Sequence, residues 1–538
     1  MQYNLAYGRE QLTVELPEKN VVKVLKMQPA AALEDPLDAI FDVLEEPLEA
    51  EPLAAIAEGK KSACVVICDC TRPVPNPVIL PPILQTLEDA GIDISKITIL
   101  IATGLHRTST TEERVDIIGE DIMLRKFKVS DHNARKLHQH EYLGVTKNGT
   151  PIWIDRRYLE ADVKILTGII EPHSITGFSG GRKSICPGIA AIDTITSCYS
   201  PKLLEDENVR PGNVEGNPVH AEQMEIARKA GCDFIVNVLL NQDHQITKVV
   251  GGHLNQAFLE GVSHARKRQT DMVEKQVDIV ITSGGGAPFD QTWHQTIRGI
   301  AGALDIIKPG GTIIIASACT EGVGSKEFEE VLDQFASMDD FLTAILSGEQ
   351  TFADQWQLQE LAKALRKGKV KVVSSGVPAE MLQKFFVVPC TTVEEAIAEA
   401  LNEHGANASI AVIPRGPSVL ALAKHKEPEV KKAEPHKAEP HKAEPPKTEP
   451  HKPESKKAES KAESKKPEVK KPETKEPRPE SVKPTGGEEK ETKTKKPAAK
   501  QTTKKVVVKK AEPKKIEPKK AEPKKAAAKK ATKKAGKK

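Results

Sequence analysis

The sequence has no run of about 18 apolar residues, so no membrane-spanning helix is expected. Its first residues, MQYNLAYGREQLTVELPEK, carry neither a basic head nor an apolar stretch. No secretory leader is read there, and a cytoplasmic protein is expected. Cysteine is sparse, with 8 in 538 residues. Cys64, Cys68 and Cys70 form C-x-x-x-C-x-C, which is not the paired spacing of a zinc site. They read as reduced strand cysteines packed in a core. No G-x-G-x-x-G follows an apolar run, which weighs against a dehydrogenase using a free nicotinamide cofactor. Aromatic residues are absent after Phe386.

That last absence marks a division. The net charge of +3 sums two unlike parts. From Lys424 to Lys538 there are 39 Lys+Arg against 19 Glu and no Asp, a net of +20, which leaves the first 423 residues at −17. The tail repeats KAEP, is dense in proline, and has little apolar surface to offset chain entropy. Residues 424–538 are therefore expected to form a disordered basic tail. From Gln501 on it has 16 Lys against 3 Glu. Such a run suits sequence-independent binding of a polyanion such as nucleic acid by counterion release; the alternative is a solvated spacer.

The acidic body alternates short apolar runs with amphipathic stretches. Strands are expected at Ala63–Cys68, Ile97–Thr103, Val163–Ile170, Asp233–Leu239, Val277–Thr282, Thr312–Ala318, Val370–Val373 and Ser409–Ile413. Helices are expected between them, among them Asn76–Ala90, Pro218–Ala230, Gln291–Ile307 and Lys326–Phe335. This pattern predicts an α/β fold: two domains with mostly parallel sheets flanked by helices. The charged stretch Ala265–Gln276 reads as the link. The expected units are residues 1–270, a second domain at 271–395, and a segment at 396–423 packing back on the first domain.

In open α/β sheets, ligands bind beyond the carboxyl ends of strands. Polar and titratable residues follow several apolar runs here: Asp69, Thr71 and Arg72; His106; His173; and His294, Gln295 and Arg298. The planar fork of Arg72 suits a substrate carboxylate. His106 and His173, each closing a strand, are candidates for an acid/base pair. The segment GFSGGRKS, with Gly177, Ser179, Gly180, Gly181, Arg182 and Lys183, is not a P-loop, because Arg182 stands where that motif needs glycine. Its glycines still permit close backbone approach to an anion. Lys183 reads as an anion ligand or a nucleophilic amine. His294 and Arg298, four apart, share a helix face, with Trp293 and Ile297 on the buried side. Trp356 reads as core or as a lid over the cleft.

Taken in order, DCTRPVP, TGLHR, EPHSITGFSGGRKSICPGIA, SPKLLEDENVRPGNVEGNPVHAEQME, GGGAPFDQTWHQTIRG and DQWQ resemble the nickel-pincer lactate racemase family, over nearly all of the body and none of the tail. The resemblance implies inversion of a 2-hydroxy acid such as lactate. It implies a nickel-pincer pyridinium mononucleotide joined to Lys183, made by separate maturation enzymes. It implies His106 and His173 as acid/base groups, Arg72 and Arg298 as carboxylate ligands, and Asp69, His294, Gln295 and Trp356 around cofactor and substrate. The chain departs from the family pattern at Tyr199, where many members carry a nickel-ligating histidine. Cys198 is one residue away and has a soft thiolate. Either Cys198 takes over as ligand, or the cofactor alone holds the metal, or activity is altered. In that last case the alternative function is a catalytically impaired body with a polyanion-binding tail. Arg298 stands where lactate-acting members have lysine, and His294 where they have tyrosine.

Overall fold

A computed structural model describes residues 1–424. The expected tail lies outside the described residues. Two six-stranded sheets organise the chain. The first runs in the order Ile246–Gly252, Phe234–Leu240, Val163–Ile169, Ala63–Cys68, Ile97–Ala102, Lys128–Asp131; every pair is parallel except the first, an antiparallel edge. The second runs Val388–Pro389, Gly368–Val373, Ile307–Ala316, Val277–Ser283, Ile410–Ile413, Val21–Val24 and is parallel throughout. The α/β expectation therefore holds.

Runs such as ACVVIC and VDIVITS form inner strands because both faces are covered and nearly every side chain is buried. The Asn76–Asp89 helix packs over one face of the first sheet, with Ile79, Leu80, Ile83, Leu84 and Leu87 fully buried. The helix expected over Gln291–Ile307 is shorter, Trp293–Ala301. Thr292 starts it with a capping box to Gln295, and the chain turns at Gly302 to feed the next strand. Trp293 and Ile297 are fully buried, as their spacing predicts. The Lys326–Phe335 expectation resolves into a short helix, Lys326–Glu330, and a 3₁₀ turn.

The domain boundaries differ from the sequence reading in three places. Val21–Val24 pairs with Ile410–Ile413, so a strand near the chain's start belongs to the second sheet. Leu5, Val14 and Leu16 pack in the same core as Ile279, Ile314 and Val412. The segment 396–423 also builds the second lobe, since Ile410–Ile413 lies beside Val277–Ser283. The stretch 265–276 is no free linker: it ends the Gln256–Gln269 helix and then forms the Thr270–Val273 strand, paired with Leu420–Ala423. Local hydrophobic pattern identifies strands, but not which distant strand completes a sheet. Among the described residues no helix is long and apolar enough to cross a membrane.

Candidate active site

The loops beyond the strand ends meet in one open cavity of about 150 Å³. His106, His173, Lys183, Arg72, Arg298 and Tyr199 all line it. So do Asp69, Thr71, Ser179, Gly180, His294, Gln295 and Trp356.

His106 is built as a carboxylate–imidazole pair. Its Nδ1 lies 2.6 Å from Asp69 Oδ2. Asp69 is itself fixed by Thr71, whose backbone N–H and hydroxyl donate to Oδ1 at 3.2 and 2.6 Å. Nδ1–H therefore donates to Asp69, and Nε2 presents a lone pair with no hydrogen-bond partner among the described residues. Burial between the lobes opposes charge on His106, but the Asp69 carboxylate outweighs it and raises the pKa. The ring stays 40 % exposed at the cavity mouth, within reach of a substrate.

His173 is set the other way. Its Nδ1 accepts the backbone N–H groups of Ile175 and Thr176, at 3.2 and 3.3 Å. The neutral ring then carries its proton on Nε2. Burial first, then the cations of Lys183 and Arg72, hold its pKa well below the ordinary histidine value. The two rings thus offer the cavity opposite hydrogen-bonding characters.

Lys183 stands on a 3₁₀ turn, Gly181–Ser184. Gly180 precedes it at φ +86°, and a Cβ there would lie 2.8 Å from Ile170 and 2.9 Å from Asn237. Asn237 Oδ1 also accepts the Gly181 N–H at 2.9 Å. Arg182 points away from the cavity. It is fully buried, donates to the carbonyls of Thr176, Phe178 and Gly180, and stacks 4.2 Å from the Phe258 ring. A Cβ on Gly177 would meet the Asn213 carbonyl at 2.1 Å. Gly177, Gly181 and Arg182 therefore shape the turn and do not line the cavity. Burial, then Arg72 and Arg298, lower the Lys183 pKa to about 7. Its amine makes no hydrogen bond within the described residues.

The second lobe supplies the facing wall. His294 and Arg298 lie one turn apart on the Trp293–Ala301 helix. Among the described residues Arg298 donates only through Nε, to the Gln295 carbonyl at 3.3 Å, leaving its terminal nitrogens free. Arg72, by contrast, is ion-paired with Glu171, and both guanidiniums lie about the Phe289 ring. Gln295 spends its side-chain oxygen on the helix cap. Trp356 serves as both core and wall: it is 8 % exposed, packs in the first lobe's core and rests on Tyr199, ring centroids 5.1 Å apart.

Cys198 is a correction. It is fully buried among the first lobe's apolar side chains and does not line the cavity. Its thiol pairs with Cys186; that bond and burial push its pKa far up. A one-residue shift along the Ile192–Cys198 helix turns the side chain into the core. Tyr199 does reach the cavity, as a neutral phenol whose pKa burial raises, with its oxygen accepting from Gln223 at 3.1 Å.

Two partners were not singled out from sequence. Asp354 lies 3.5 Å from His294 Nε2; His294 and His106 hold its carboxyl low against burial. Glu171 neutralises Arg72. Both residues lie inside quoted motifs, DQWQ and EPHS, but pairing across loops is not visible in one dimension.

Family models for the lactate racemase N-terminal and C-terminal domains match residues 7–210 and 272–421. The lactate racemase of Thermoanaerobacterium thermosaccharolyticum is 34 % identical over 424 residues, covering 78 % of this chain and 99 % of that protein. The chain belongs to the lactate racemase family. The lactate racemase of Lactiplantibacillus plantarum is 32 % identical over 422 residues, 78 % of this chain and 99 % of its own. The solved apoprotein of the Thermoanaerobacterium enzyme superposes with a TM-score of 0.73 at 33 % identity, over 78 % of this chain and all of that one. A Thermotoga maritima protein, 16 % identical with a TM-score of 0.57 over 74 % of this chain and all of its own, shares the fold. The family consists of isomerases, and this chain is an enzyme of that class.

Proposed function

We propose that this chain inverts the Cα of a lactate-like 2-hydroxy acid, acting as a racemase or epimerase. One observation carries the reading: a carboxylate-oriented histidine, a second histidine of opposite tautomer and a low-pKa amine all open into one cavity.

The residues fit the nickel-pincer nucleotide at its attachment point. Lys183 offers an amine that is about half neutral near pH 7, with no hydrogen-bond partner among the described residues, on the wall of the cavity. They fit less well at the metal position, where Tyr199 is a neutral phenol already bonded to Gln223. When bound, the cofactor supplies a reversible hydride acceptor.

The chain's own work is binding and proton transfer. Arg298 takes the substrate carboxylate on its free terminal nitrogens, and a two-pronged grip fixes the hydroxyl carbon's position. His106 Nε2 accepts the hydroxyl proton as the C–H bond is broken, and Asp69 stabilises the imidazolium formed. His173 Nε2–H hydrogen-bonds the substrate oxygen. For His173 to act as base toward the other enantiomer, its ring must leave the Ile175 and Thr176 N–H groups. Trp356 and Tyr199 shield the reacting carbon from water.

The test is intact mass and nickel content of the chain matured with the family's cofactor-making enzymes, with Lys183→Ala as control, followed by a chirality assay on lactate. A nucleotide-sized adduct absent from the variant, together with loss of optical activity, supports the reading. An adduct without turnover of any 2-hydroxy acid tested would sink it.

A further inference from the structure

A second histidine cluster lies in the first lobe, outside the catalytic cavity. His132 follows the Lys128–Asp131 strand. His140 and Asp155 face each other across the His140–Val145/Pro151–Asp155 ribbon. All three are buried, at 0 %, 2 % and 0 % exposure. One ligand atom from each lies within 4.8 Å of the others, and the two Nε2 atoms are 2.9 Å apart.

The atoms facing away from the cluster are held. His140 Nδ1 meets the Lys136 carbonyl at 3.0 Å, so it carries the ring proton and Nε2 presents a lone pair. His132 Nδ1 faces Thr103 Oγ1 at 3.4 Å. The Thr103 hydroxyl hydrogen is engaged by the His132 carbonyl at 2.8 Å. Thr103 is then an acceptor toward the ring, and it is satisfied only if His132 Nδ1 carries the proton. In that state both Nε2 lone pairs point at one spot and need a cation between them. The alternative tautomer, with His132 Nε2–H donating to His140, leaves the buried His132 Nδ1 without a donor. Asp155 Oδ1 takes two bonds from Arg157, at 3.0 and 2.9 Å, and Oδ2 takes one, at 2.5 Å. A lone pair remains on Oδ2. Ligands whose far atoms are fixed in this way are the mark of a metal site's outer shell.

We propose that His132, His140 and Asp155 bind a divalent transition ion of the zinc class (Zn²⁺, Co²⁺ or Ni²⁺), with water at the open position. Two imidazoles and a carboxylate suit borderline ions. At zinc–nitrogen bonds of about 2.0–2.1 Å in a tetrahedron, the two nitrogens need only spread to about 3.3 Å. The ion would brace Thr103, three residues before His106, and so the turn that carries the base.

The experiment adds Co²⁺ to the chelator-treated full chain without catalytic cofactor, and reads visible absorption, calorimetric stoichiometry and melting temperature. Histidines elsewhere, including His425, His436, His441 and His451 of the tail, make the comparison with variants essential. His140→Gln and His132→Asn should each remove one bound ion, or weaken that site by about 100-fold or more, and abolish the metal-induced rise in melting temperature. Circular dichroism establishes that at least one variant is folded. Thr103→Val, which leaves the ligands intact, should weaken the same site. Wild type that binds no Co²⁺, or variants that match it in stoichiometry and spectrum, would overturn the proposal.

Discussion

Asp69 holds His106 through a 2.6 Å contact to Nδ1, and among the described residues no other group touches that imidazole by hydrogen bond. Asp69→Asn should therefore leave binding nearly intact and cut kcat by about 100-fold or more, the usual worth of a positioned base. Asp69 raises the His106 pKa against burial, so removing its charge should move the basic group's pKa in the kcat/KM profile downward. An unshifted profile would show that Asp69 serves the cofactor instead.

His173 should be an Nε2–H tautomer in the substrate-free enzyme, and His106 an Nδ1–H tautomer. Nitrogen-15 spectra of selectively labelled histidine can assign both. Finding Nδ1–H on His173 would contradict its two bonds from the Ile175 and Thr176 backbone.

Lys183 should react with an acylating reagent far below the pH at which ordinary lysines do. With a pKa of about 7, its rate should rise about tenfold per pH unit below neutrality and level off above. Surface lysines, titrating near 10.4, should still be climbing at pH 9. Pulsed labelling with peptide mass mapping separates the two. A Lys183 rate still rising at pH 9 would remove the case for a ready nucleophile.

The ion pairs that bridge the lobes include Arg107–Glu321 at 3.2 Å and Arg135–Glu327 at 3.3 Å. All four side chains are at least 40 % exposed. Each pair should contribute under about 1 kcal/mol in a double-mutant cycle. The coupling should vanish near 1 M salt, where screening acts within about 3 Å. A larger, salt-insensitive coupling would mean that the two lobes are locked rather than latched.

The α/β class, most strands and the lining of the cavity were legible in the sequence, because apolar runs mark inner strands and the polar residues after them mark the ligand side. His106, His173, Lys183 and Arg298 were found on that logic. What was not legible depends on distance in the fold. Arg182 stands beside Lys183 in GFSGGRKS among the candidate cofactor contacts, yet its guanidinium serves three carbonyls beneath the turn. Cys198 is one position from the cavity, and one position on a helix suffices to bury it. Val21–Val24 carries too little pattern in four residues to announce which sheet it completes.

That strand has a consequence for biosynthesis. Its neighbour, Ile410–Ile413, is translated nearly four hundred residues later. At about 5–20 residues per second this is a wait of roughly 20–80 s. The first lobe can assemble on the ribosome meanwhile, as an insertion between the N-terminal strands and the rest of the second lobe. The second lobe cannot close until its own C-terminal strand emerges. Until then Val21–Val24 is an unpaired strand edge, and a chaperone acting on this protein would find its client there.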